Sequence, residues 1–311
     1  MATLTAVPAA IPQRRAITVH RFLVLLAAFA SASLIVSIAI YGGAYYRAPL
    51  EDRALSPLHS QLRSSGTIGL RLGILSLVMF CILFLYPLRK RWRWLSTIGS
   101  TRRWLNFHVL FGISTPAVVT FHTAFRWHGI AGCAYWTMIA VALSGFVGRY
   151  VYAKIPRSVN AVELSIQELE AQTEALARRL NEQWLFRDEV LAPLFELPTP
   201  QQIRSMNFIH VLWTMVRLDI ARQIHISRLR LCLLSGARCI TTLGGLFASN
   251  DAGLEAVIAN VRRQSRLRAG MAFLDRTGRV FHLWHAVHRP FSISFVVLIL
   301  IHIGVALSVG F

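Results

Sequence analysis

The chain is predicted to fold as an all-α integral membrane helix bundle of about five transmembrane helices with a helical cytoplasmic insertion. Three observations point there. Of the 311 residues, 55% are hydrophobic and only 15% charged, with a mean hydropathy of +0.51, too apolar for an ordinary soluble protein. Five apolar runs reach the roughly 20 residues that a helix needs to cross a bilayer. The formal charge of +19 is concentrated in basic clusters that flank those runs, as in cytoplasmic loops facing anionic headgroups. No nucleic-acid recognition module is visible, so the charge is read as membrane-directed, with membrane lipid as the first partner and no nucleic acid.

The first run, from about Ile17 to Gly43, follows Arg14 and Arg15. Its AFASA stretch resembles a signal-peptidase site, but SLIVSIAIY carries the run on to full crossing length, and it is read as an uncleaved span. A polar segment, 44 to 65, leads to a second span from about Ile68 to Leu88, where Arg71 is close enough to the end to snorkel. LRKRWRWLSTIGSTRRW then places six Lys or Arg beside Trp92, Trp94 and Trp104. By the positive-inside rule this loop faces the cytoplasm and its tryptophans lie at the interface. The N-terminus is then inside too, two spans away. A third span leads outward through the RWHGI turn to a fourth, from about Ala131 to Tyr152, completing a first region of residues 1–152.

Residues 153–280 form a basic cytoplasmic insertion with 17 Lys or Arg against 12 Asp or Glu. Within it, VELSIQELEAQTEALARRLNEQW has helical spacing and reads as a surface helix ended by Pro193, Pro198 and Pro200. MNFIHVLWTMVRLDIARQIHISRLRLCLL is apolar on one side and arginine-rich on the other, and reads as an amphipathic helix on the inner membrane surface. The rival reading, an extra span over residues 207–220, would have to carry Arg217 and Asp219 through the bilayer. Residues 281–311 are the fifth span, running from inside to outside, so the C-terminus is expected outside a bacterial inner membrane. Cys81, Cys133, Cys232 and Cys239 form no C-x-x-C or C-x-x-C-H and read as plain thiols.

Intramembrane histidines are costly, and here they recur at one spacing. His108 and His122 are fourteen residues apart in the third span, and His288 and His302 are fourteen apart in the fifth. Fourteen helical steps turn through about 1400°, about 40° short of four turns, and rise about 21 Å. Each helix thus shows two imidazoles on one face near opposite membrane surfaces. With one span between them, the two helices run in the same direction, so His108 pairs with His288 and His122 with His302. Two opposed imidazole pairs at two depths suit two haem b groups, each iron ligated by two histidines. Pairs about 20 Å apart do not suit one zinc ion. His285 competes with His288 for the inner position, but it lies about 100° off the face shared with His302.

Gly112 and Gly304 are candidate places for porphyrin approach, with helix packing an equal explanation. Arg126 and Arg71 on the outer side, and Arg103 and Arg289 on the inner side, are candidates to pair with haem propionates.

The paired H-x13-H pattern resembles the transmembrane haem domain of ferric reductases and NADPH oxidases, and more loosely the haem bundle of cytochrome b proteins. GRYVYAKIPRS after the fourth span and LWHAVHRPF at the start of the fifth are similar to bacterial membrane b-type cytochromes. The resemblance covers roughly residues 88–158 and 273–311. It implies electron transfer through two haems with His108, His122, His288 and His302 as axial ligands. Two departures stand beside it: five spans rather than six, and no G-x-G-x-x-G for a nicotinamide cofactor. The expectation is therefore an electron-transfer subunit of a membrane oxidoreductase. It would take or give electrons at the quinone pool, with a quinone or quinol bound. Its other partners would be subunits of a redox complex, such as a periplasmic cytochrome or iron–sulfur protein. A terminal ferric or oxygen reductase and a non-redox membrane scaffold are the rivals.

Overall fold

A computed structural model of the chain describes residues 19–155, 194–233 and 252–309, with a few helical positions between 163 and 171. Among the described residues every regular element is helical. They are α1 (Val19–Tyr41), α2 (Gly43–Arg47), a 3-10 turn (Asp52–Leu55), α3 (His59–Leu62), α4 (Thr67–Arg89), α5 (Arg93–Ser96) and α6 (Thr101–His122). After these come α7 (Gly129–Lys154), α8 (Pro200–Ser205), α9 (Phe208–Leu233), α10 (Ala252–Ala272) and α11 (Leu274–Val309). Five of them are long and apolar enough to cross a membrane: α1, α4 with the α3 turn before it, α6, α7 and α11. The chain is thus a multi-pass, all-α membrane protein. α9, which covers most of residues 207–220, is not among the five. The expected surface helix over residues 162–184 is helical at its described positions, and its remainder, with Cys239, lies outside the described residues.

The chain divides into two compact units, Met1–Gly145 with His288–Phe311, and Phe146–Val287. In the first unit α4 and α6 pack along their length, with α1 against α6. Ile38, Leu72, Met79 and Val118 close the core where these three helices meet. Phe80, Tyr135, Met138 and Phe295 form a second core joining α4, α7 and α11. Large apolar side chains such as Phe22, Leu26 and Phe29 on α1, and Val297 and Leu300 on α11, are exposed, the outward apolar face that lipid would cover.

Two buried arginines hold the turns at the ends of α6. Arg89, 7% exposed, donates to the carbonyls of Ser96 (2.8 Å), Gly99 (2.7 Å) and Ile98 (3.4 Å) and to the Thr101 hydroxyl (2.9 Å), folding the basic loop that enters the helix. Arg53, 5% exposed, donates to the carbonyls of Ala124 (2.5 Å), Tyr46 (2.7 Å) and Ala48 (2.9 Å) at the turn that leaves it. That turn is strained: Ala124 and Phe125 have φ of 48° and 61°, a left-handed conformation that costs about 1–2 kcal/mol per non-glycine residue. The Arg53 bond to Ala124 and the packing of Phe125 on Tyr46 (centroids 5.3 Å apart) oppose that cost.

In the second unit α9 and α10 form an antiparallel hairpin. Arg230 pairs with Glu255 at 2.6 Å, Arg262 donates to Gln223 at 3.4 Å, and Arg222 donates to Ser265 at 2.6 Å. Val211 and Met215 of α9 share a core with Val151 of α7, Phe273, and Val280 of α11. The Trp284 indole lies where a Cβ at Gly148 would come within 2.1 Å of it, so this glycine seats α11 against α7. α8 starts on a capping box, Thr199 with Gln202, with Pro200 at its first turn, so this proline opens a helix rather than ending one.

The structure corrects the expected faces of α9. Its arginines are not confined to the outer side: Arg222 and Arg230 are buried and paired, while Ile209, Trp213, Ile220 and Ile224 are exposed. An arginine whose charge is matched by Asp219 or Glu255 can be buried, which residue type alone does not reveal.

Asp219 accepts hydrogen bonds from Tyr150 (2.7 Å) and Arg222 (2.7 Å) and pairs with Lys154. Burial raises its pKa, but the bonds from Lys154 and Tyr150 and the charges of Lys154 and Arg222 outweigh burial and hold it below the usual carboxylate range. A depressed folded pKa gives stability that is present above the unfolded value near 3.9 and lost as pH falls through the folded one. Asp219→Asn is expected to cost about 2 kcal/mol at neutral pH and to leave a protein with a weaker acid transition. Thermal unfolding of both proteins between pH 3 and 7 checks this, and parallel pH profiles would contradict it.

Candidate functional site

The candidate site is built on α6, and its geometry begins with the neighbouring helix α4. His108 Nδ1 is 3.0 Å from the Leu83 carbonyl and His122 Nδ1 is 2.8 Å from the Gly69 carbonyl. These acceptors are themselves fourteen residues apart, in reverse order, so an antiparallel helix repeats the spacing of the histidines. With Nδ1–H donating to a carbonyl, each ring carries its lone pair on Nε2, the tautomer that a metal ligand needs.

α4 has a separate device at each place. A helical Leu83 carbonyl would ordinarily accept from the N–H of residue 87, but residue 87 is proline and has none. The orphaned carbonyl is therefore available to His108. At the other end, a Cβ on Gly73 would come within 2.6 Å of His122 Cε1 and 2.9 Å of its Nδ1. Only glycine leaves room there for the imidazole to lie against α4. Gly73 and Pro87 are again fourteen residues apart.

On α11, His302 faces His122, their ring centroids 6.5 Å apart and their planes at 74°. His288, half-buried, has Nδ1 2.6 Å from the Ser144 hydroxyl of α7, and Gly145 lies beside it with its would-be Cβ 3.8 Å from His288 Cε1. Ser144 thus does for His288 what the carbonyls of α4 do for the histidines of α6. His285 is exposed and stacks on Phe281 at 6.4 Å, with Trp284 at 6.0 Å. His282 is exposed as well.

The expected arginines fare differently. Arg71, Arg103, Arg126 and Arg289 are all exposed, and their side chains bond no described residue. The buried cations at the ends of α6 are Arg53 and Arg89, which the sequence reading passed over. A polar loop arginine carries no periodic signal, and its burial depends on carbonyls that only the fold assembles. Gly112 is in ordinary contact with Leu83, its would-be Cβ 3.7 Å from Cδ1, and a Cβ on Gly304 would meet nothing within 4 Å.

An aromatic layer surrounds the His122 end. Tyr46 stacks edge-on against Phe121 at 5.2 Å, Phe125 lies 6.0 Å from Trp127, and Trp127 lies parallel to Tyr135 at 5.6 Å. Burial, then the neighbouring Tyr45, raises the Tyr46 hydroxyl to a pKa of about 12 despite the Arg53 charge. That hydroxyl and the Trp127 Nε1 are buried with no hydrogen-bond partner in the structure.

No group of three or more His, Cys, Asp or Glu that could hold a metal ion occurs among the described residues. No protein-family model matches the chain, and no curated protein or solved structure is significantly similar to it.

Proposed function

We propose that the chain is a di-haem b-type cytochrome subunit that carries electrons across a bacterial cytoplasmic membrane between the quinone pool and a redox partner. The observation that carries this reading is the opposed pair His122 and His302. Two imidazoles that held one metal ion between them, each through a metal–nitrogen bond of about 2 Å, would have ring centroids about 6 Å apart. The separation in the structure is 6.5 Å.

Two further features fit bis-histidine ligation. Nδ1 of His108, His122 and His288 is engaged by a carbonyl or hydroxyl, as iron-ligating histidines require. Gly73 makes room for one ring. Bound there, the two haems would supply one-electron redox couples about 20 Å apart. The chain's own residues hold the His108, His122 and His288 rings by their Nδ1 atoms, keep water out of the apolar bundle, and seat the helices at fixed distance.

The orientation with N-terminus inside rests on the RKRWRW loop between α4 and α6. It puts the His122 and His302 pair toward the outer surface and His108 with His288 toward the inner. Electrons would be exchanged with quinol or with a partner subunit, since the chain shows no nicotinamide fingerprint.

Separate His122→Ala and His288→Ala variants test the ligand assignment. Each is expected to retain about half of the wild-type haem and to lose one component of the reduced-minus-oxidised spectrum. Unchanged haem in both would refute it.

A further inference from the structure

Arg53 is a buried cation with no carboxylate partner among the described residues. Its three bonds go to neutral carbonyls. Taking a guanidinium out of water is costly, and carbonyl dipoles return only part of what an anion would. Among the described residues, buried Arg222 is matched by Asp219 and buried Arg230 by Glu255. Arg89, at the end of α4, also has no carboxylate partner among the described residues, but it folds the loop at the far end of α6, its bond to Thr101 lying seven residues before His108.

The position of Arg53 decides its meaning. Its Nη1 is 2.5 Å from the carbonyl of Ala124, two residues beyond His122 in the same turn. Its Nη2 is bonded to the carbonyl of Tyr46, whose ring packs on Phe121, the residue before His122. The charge is therefore fixed within about a turn of the iron-ligating position. The surrounding layer is aromatic, and Tyr46 adds a buried hydroxyl with no partner in the structure. Every unsatisfied polar group there, the Tyr46 O–H and the Trp127 N–H, is a donor able to face negative charge.

We infer that Arg53 is the fixed counter-cation of the outer haem and sets its reduction potential above that of the same site without the charge. The inference rests on the di-haem reading. A positive charge held in a poorly solvated layer disfavours the ferric over the ferrous centre, because reduction removes one unit of positive charge beside it. The inner haem is about 21 Å away along the bundle and feels the charge far less. Arg53 thus raises the outer potential relative to the inner one, shifting the resting electron toward the outer surface. It is a positioning and electrostatic residue and touches no reacting atom.

The test is a spectroelectrochemical titration of the purified, haem-loaded full chain in wild type, Arg53→Gln, Arg53→Lys and Arg89→Gln. The outer component is identified as the one missing from His122→Ala. Arg53→Gln is expected to lower the outer midpoint and leave the inner in place, Arg53→Lys to restore most of the shift, and Arg89→Gln to leave the outer midpoint unchanged. An outer midpoint unmoved in Arg53→Gln would overturn the inference, as would an equal fall in Arg53→Lys, which would mean that the clamp and not the charge matters. Should Arg53→Gln not retain haem, Arg53→Lys with wild-type haem content and a wild-type outer midpoint still supports a charge role, and a lowered one opposes it. Failure of the di-haem reading shows separately, as wild-type protein without two titrating components.

Discussion

Replacing Gly73 with alanine is expected to empty the proposed outer haem site, leaving about one haem per chain, though the substitution adds a single methyl group to a helix. Alanine is intrinsically the better helix former by about 1 kcal/mol, so α4 itself gains. Any loss must come from the new Cβ, which would sit 2.6 Å from His122 Cε1. The ring cannot swing aside without giving up its 2.8 Å bond to the Gly69 carbonyl and its place opposite His302. Overpacking of this kind costs about 1–3 kcal/mol, and a misplaced ligand loses affinity beyond that. Gly112→Ala is the control, because its Cβ would meet only Leu83 Cδ1 at 3.7 Å. Haem content of the two purified variants decides the matter: an unchanged Gly73→Ala protein would contradict the ring geometry.

Arg89→Ala is expected to have the largest effect on stability, about 3 kcal/mol. Four hydrogen bonds disappear and the carbonyls of Ser96, Ile98 and Gly99 lose their shared donor. Water at the membrane interface recovers part of this, which sets the estimate below the full sum. Lysine should rescue poorly, since one ammonium cannot reproduce a planar fork that reaches three carbonyls and a hydroxyl. Limited trypsin digestion reads the outcome: cleavage at Arg91 and Arg93 should quicken sharply in Arg89→Ala and in Arg89→Lys. Wild-type resistance in either would show that the guanidinium does not hold the loop.

Much of the fold was legible because lipid imposes a length and a composition on each spanning helix. The five apolar runs became five helices for that reason. The fourteen-residue histidine spacing was legible too, since helical periodicity carries position along a chain into position on a face. What surrounds those histidines was not. Pro87 and Gly73 look like a late-helix proline and a packing glycine until α4 is laid antiparallel to α6. Then one frees an acceptor for His108 and the other clears space for His122. Arg53 and Arg89 were missed while Arg126 and Arg289 were singled out, because nearness to a span end is visible in sequence and burial against carbonyls is not. The burial of Arg222 and Arg230 on α9 is not visible in the pattern of the helix, since it depends on Asp219 one turn away and on Glu255 from α10. α10 was not foreseen as an element, its arginine-rich face having no partner until α9 supplies one.

The central claim is that this bundle holds two haems b by four histidines. Haem content per chain, measured as the pyridine haemochrome of the purified wild-type protein against its protein concentration, tests it most directly. About two b-type haems per chain are expected, and a well-folded, helical protein that carries none would rule out di-haem ligation.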